Sequence, residues 1–115
     1  MSKFVRIFLK IMNRIEKLSE MLLQQPKDCF LLHALGLEWI KLGEIEKALK
    51  CFMNVILNDE NYVGTYYHLA KTYEKLGQTE QAMVTYEKGI QIASKCNDKH
   101  AKNELQMALD DIMDI

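Results

Sequence analysis

Residues 63–96 read VGTYYHLAKTYEKLGQTEQAMVTYEKGIQIASKC, and residues 29–62 before them read CFLLHALGLEWIKLGEIEKALKCFMNVILNDENY. Aligned without a gap, Tyr66, Leu69, Ala70, Tyr73, Gly77, Ala82, Tyr86 and Ile90 answer to Leu32, Leu35, Gly36, Trp39, Gly43, Ala48, Phe52 and Ile56, each pair 34 residues apart. A fixed period of this length, with small and large apolar positions in constant order, marks an array of stacked helical hairpins. Small residues let two helices approach, and large ones fill the space opened elsewhere.

The rest of the composition agrees with a helical reading. The chain has 115 residues, 49% apolar and 27% charged, as expected of one folded domain with a modest core. One proline and five glycines leave little punctuation, which favours long helices and an all-α chain. The net charge of −1 hides an asymmetry. Lys3, Arg6, Lys10, Arg14 and Lys17 outnumber Glu16 and Glu20 at the start, whereas Asp98, Glu104, Asp110, Asp111 and Asp114 outnumber Lys99 and Lys102 at the end. Neither end interleaves enough bases and aromatics for a nucleic-acid surface. Cys29, Cys51 and Cys96 are odd in number and form no paired motif, so packing thiols in a reducing cytoplasm are expected. No apolar run approaches a membrane span, and the apolar letters after Lys3 are broken by Arg6 and Lys10, unlike a secretory signal.

Taken in order, Phe4, Phe8, Ile11, Ile15, Leu18 and Leu22 fall on one face of a helix, widened by Ile7, Met12 and Met21. Too few flanking charges accompany them for a coiled coil. Met12 is also a possible true start, with residues 1–11 then an extension. Asp28 is placed to cap a helix over Cys29–Leu42, and Gly43 to end it before a second helix over Glu44–Leu57. The next pair is expected near Val63–Leu76 and Thr79–Lys95. Gly89 either loosens the latter or admits a close neighbour. Asn97 or Asp98 can cap a last helix over Lys99–Ile112, with Leu105, Ala108, Leu109 and Ile112 on its apolar side.

The repeated letters resemble the tetratricopeptide repeat (TPR) family across both copies. The resemblance implies two helix-turn-helix units, 29–62 and 63–96, flanked by an N-terminal helix in 1–26 and a capping helix in 97–115, all within one domain. Arg14–Pro26 is similar to the second helix of a further unit, with Leu18 and Met21 at its core positions. The family fold further implies a concave groove that receives a peptide or helix of another protein. The matching positions are Phe30, His33, Leu37, Ile40, Lys41, Gly64, Tyr67, His68, Lys71 and Lys75, extended by Ala101, Lys102 and Leu105. Phe30, Leu37, Ile40 and Tyr67 form an apolar patch, and Lys41, Lys71, Lys75 and Lys102 would favour acidic groups on the partner. Some family members hold a chaperone's terminal carboxylate with a clamp of lysine, asparagine and arginine. Here the corresponding positions hold His33, Leu37, His68 and Lys102, with Gly64 and Asp98 elsewhere, so the clamp is largely absent.

Other functions find less support. His33, His68 and His100 recur near the starts of successive helices, yet no convergent carboxylate or metal-ligand spacing accompanies them, so neither a metal, a cofactor nor catalysis is expected. The basic, apolar N-terminal helix could rest on a membrane surface, with docking onto the domain as the plainer reading. The alternative to an adaptor is a homo-oligomeric structural protein that uses its exposed apolar surface for self-association.

Overall fold

Each copy of the repeat forms one helical hairpin. The computed structural model describes residues 1–114, which form six α-helices and no strand: α1 (Lys3–Gln24), α2 (Cys29–Leu42), α3 (Ile45–Asn58), α4 (Gly64–Lys75), α5 (Thr79–Lys95) and α6 (Lys99–Met113). The ends follow from local chemistry. Asp28 caps α2 by accepting from the Leu31 N–H at 3.0 Å, and Asp98 caps α6 by accepting from the Ala101 N–H at 3.0 Å. Gly43 (φ 80°) and Gly77 (φ 74°) take the left-handed conformation that closes each hairpin. Asn97 does the same at φ 58° after α5, so it ends one helix while Asp98 starts the next. The helix expected from Glu44 begins at Ile45, because the Glu44 N–H bonds back to the Trp39 carbonyl at 3.0 Å.

The chain divides into two compact units, Met1–Asn58 and Asp59–Ile115. In the first, α2 pairs with α3, and α1 packs on α2. Phe52, Ala48 and Val55 are fully buried. Gly36 makes this possible: a Cβ there would lie 2.5 Å from Cε1 of Phe52. The glycine therefore accommodates a ring, not only another small residue. Ile11 and Ile15 bury α1 in a cluster with Leu35 and Cys51, edged by Leu18, Leu22, Trp39 and Leu42. Met21, expected in that core, is exposed, because the seam against α2 runs through Ile11 and Ile15. A buried carboxylate, Glu38, ties the helices together through Arg14 of α1 at 3.4 Å and Lys41 at 2.7 Å. Trp39 is half-buried under the Lys47 ammonium, 4.6 Å from its ring centre.

In the second unit α5 lies between α4 and α6, and α6 also touches α4. Tyr66, Leu69, Ala70, Ala82 and Tyr86 are buried, as the repeat pattern requires. The Tyr66 hydroxyl donates to the Glu60 carbonyl at 2.6 Å, and Lys88 meets the Glu60 carboxylate at 3.6 Å. Gly89 is the close-approach position: a Cβ there would stand 2.7 Å from the Tyr66 Cβ and 3.0 Å from Cδ1 of Leu105. Leu105, Ala108 and Leu109 seal the far side of α5 with the apolar side of α6.

Candidate partner-binding surface

A helix buried on one side leaves the opposite row of side chains to solvent, and in both hairpins the first helix does this. On α2 that row is Phe30, His33, Leu37, Ile40 and Lys41. Phe30 is 69% exposed; His33, Leu37 and Ile40 are half-buried. The His33 imidazole lies against Phe52, with ring centres 5.6 Å apart. Lys41 is committed to Glu38, so it serves the unit's own structure as well as its surface.

The corresponding row on α4 holds Gly64, Tyr67, His68, Lys71 and Lys75. Tyr67 is half-buried and held on several sides. The His68 ring meets it edge-on at 5.6 Å, the Tyr86 ring lies 6.4 Å away, and the Lys71 ammonium sits 5.6 Å above its face. Lys71 also pairs with Glu74 at 3.5 Å, and Glu74 accepts the Tyr86 hydroxyl at 2.5 Å. Burial, then the Glu74 hydrogen bond and charge, push the Tyr86 phenol well above its usual range. Burial lowers the pKa of His68, against an opposing pull from Glu104.

Between α4 and α6 the second unit leaves a cleft of about 380 Å³, lined by Tyr67, Lys71, His100, Asn103, Glu104, Met107, Ala108 and Asp111. Its walls are the Tyr67 ring on one side and the exposed thioether of Met107 on the other. The α6 residues recur at helical spacing, so one face of α6 supplies them. Glu104 and Asp111 are exposed and form no ion pair among the described residues. Of the residues named from sequence, Tyr67 and Lys71 line this cleft; His68 and Lys75 share their helix face without lining it. Lys102 points elsewhere, onto a hollow of about 150 Å³ with Ala93, Ser94, Asn97, Asp98 and Lys99. Leu105, expected to extend the groove wall, is buried against α5 instead.

Sequence reasoning missed Asn103, Glu104, Met107 and Asp111. The available signal was a methionine set among acids, one helical face away from Leu105 and Leu109. The cleft has the make-up of a binding surface, apolar in its walls with charges at its margin. The described residues contain no group of three or more His, Cys, Asp or Glu placed to hold a metal ion, and no helix long and apolar enough to cross a membrane.

Comparison with known proteins agrees with this architecture. A family model described as tetratricopeptide repeat matches residues 63–96. The solution structure of a tetratricopeptide repeat domain protein from Salinibacter ruber is 39% identical, covering 76% of this chain and 88% of that one, with a TM-score of 0.72. PcrH, solved in complex with the chaperone binding region of PopD, superposes with a TM-score of 0.84 over 90% of this chain and 79% of its own, at 18% identity. Among curated proteins, Protein DIA2 of Eremothecium gossypii is 31% identical over 85 residues, 74% of this chain. The chain spans 12% of the length of that relative.

Proposed function

The chain belongs to the tetratricopeptide repeat family, and from that premise we propose that it is a non-enzymatic adaptor, with the α4–α6 cleft receiving a peptide or helix of a partner protein. The observation that carries this reading is the cleft itself: Tyr67 and Met107 present apolar walls that the unit's own side chains leave open. PcrH, of the same fold, binds a segment of another protein, which supports a role in protein binding. On the first unit, Phe30, His33, Leu37, Ile40 and Lys41 offer a second row of similar character, with Phe30 and Leu37 as its apolar anchors. His68 and Lys75 flank the cleft residues on α4, and Lys102 belongs to a separate hollow on α6. We place this adaptor in the cytoplasm, a reducing compartment that suits Cys29, Cys51 and Cys96, which form no disulfide among the described residues.

The charges of the cleft shape the choice of partner. Lys41 and Lys71, expected to attract acidic groups, are already paired with Glu38 and Glu74. Among the described residues Glu104 and Asp111 have no such ion-pair partner, so a segment carrying apolar and basic groups suits the cleft best. A photo-crosslinking residue placed at Met107 is expected to capture the partner, whereas the same residue at the exposed Val84 of α5 captures none. Tyr67→Ala combined with Met107→Glu is expected to abolish the crosslinked species while far-ultraviolet circular dichroism stays helical. Equal capture from both positions, or capture unchanged by the double substitution, rules the cleft out.

A further inference from the structure

The first two turns of α1 leave a broad apolar surface uncovered. Phe4 is 83% exposed, Phe8 51% and Ile7 48%, although they continue the line on which Ile11 and Ile15 are buried. Lys3, Arg6 and Lys10 recur at intervals of three and four beside this line, and none of them forms an ion pair among the described residues. A basic, aromatic helical end is thus the chemical complement of the α4–α6 cleft. The spacing agrees as well. Lys3 and Lys10 are seven residues apart, as are Glu104 and Asp111, so each pair spans about 10 Å along its helix.

We infer that the segment Lys3–Lys10 of a second copy of this chain occupies the cleft, with Phe4 and Phe8 between Tyr67 and Met107, and Lys3 and Lys10 against Glu104 and Asp111. The inference rests on the cleft being a binding site and names its occupant. Helix-in-groove recognition of this kind is read through apolar anchors at helical spacing, with charges fixing the register. The donor helix and the acceptor cleft are different surfaces, so the contact is heterologous. Each copy retains one unused donor or acceptor, and assembly continues into rings or chains.

Light scattering on the full chain across a concentration series decides the matter. The mass is expected to rise above that of a monomer with concentration and to fall back with added salt, which screens the exposed charges. Phe4→Ser/Phe8→Ser, which lacks the donor, and Glu104→Lys/Asp111→Lys, which lacks the acceptor, are each expected to remain monomeric. All four positions are exposed, and circular dichroism verifies the fold. Mixed in equal amounts, the two variants are expected to form a heterodimer that grows no further, because one intact donor and one intact acceptor remain. A wild-type mass that stays monomeric at every concentration overturns the inference, as does assembly that survives either variant or a mixed pair that stays apart. Sedimentation with phosphatidylserine vesicles, lost in Phe4→Ser/Phe8→Ser while the wild type stays monomeric, would assign the helix to an anionic membrane surface instead. A Met107 crosslink to a foreign protein from a monomeric wild type would retain the cleft as a binding site and remove only this occupant.

Discussion

Gly89 and Gly36 show how much of the packing turns on an absent methyl group. Alanine at either site gains about 1 kcal/mol of helix propensity over glycine. Against this stands overpacking, which costs about 1–3 kcal/mol in a filled core. At Gly89 the obstacle is the Tyr66 Cβ, fixed to its backbone, so overpacking wins. At Gly36 it is the ring of Phe52, whose Cε1 would lie 2.5 Å away and which is itself fully buried, so the ring must be displaced within a filled core. Gly89→Ala and Gly36→Ala are therefore each expected to lower the urea midpoint, with the denaturant slope unchanged in both, and a midpoint raised by either would contradict the close approach at that site. His68 makes a prediction of a different kind. Burial depresses its folded pKa below the unfolded value of about 6.5. The unfolded chain then binds the proton more readily, and stability is lost as pH falls from about 6.5 through the folded pKa. Urea midpoints between neutral and mildly acidic pH are expected to decline in the wild type and to decline less in His68→Gln. An equal decline in both would place the effect on other groups.

The helices themselves were largely legible. The span Cys29–Leu42 follows from the Asp28 cap and the Gly43 stop, and Thr79–Lys95 from the 34-residue register that carries Ile45 onto Thr79. What was not legible was how α1 and α6 would use their polar residues. Nothing in the spacing of Arg14 and Glu38 announces an ion pair, because the pair forms only when Ile11 and Ile15 seat α1 on α2. For the same reason Met21 looked like core and is exposed, while Glu104, Met107 and Asp111, which are not among the apolar positions expected of the last helix, line the cleft. The docking of α1 has a measurable handle in Cys51, which is 8% exposed within the same cluster as Ile11 and Ile15, its thiol pushed up to about 11 by burial. Shielded and protonated, it reacts with a thiol reagent only when the cluster opens. Arg14 is half-exposed, so Arg14→Ala weakens the docking by at most about 1 kcal/mol. Cys51 labelling is expected to quicken by no more than about five-fold, a bound that roughly ten-fold acceleration would contradict.

Across the whole molecule, the repeat register predicted the two hairpins, since a period that recurs in sequence recurs in space, and apolar spacing predicted the helices that flank them. It did not predict the cleft, because the walls of a cleft are the positions that the repeat leaves free to vary. Of the thirteen groove positions expected from the repeat, Tyr67 and Lys71 line it. The division at Asn58 has one more consequence, an optical one. Trp39, the single tryptophan, lies in the first unit, and Tyr62, Tyr66, Tyr67, Tyr73 and Tyr86, all five tyrosines, lie in the second. Indole emission excited at the red edge of the absorption band, where phenols do not absorb, therefore reports the first unit alone without any label being added.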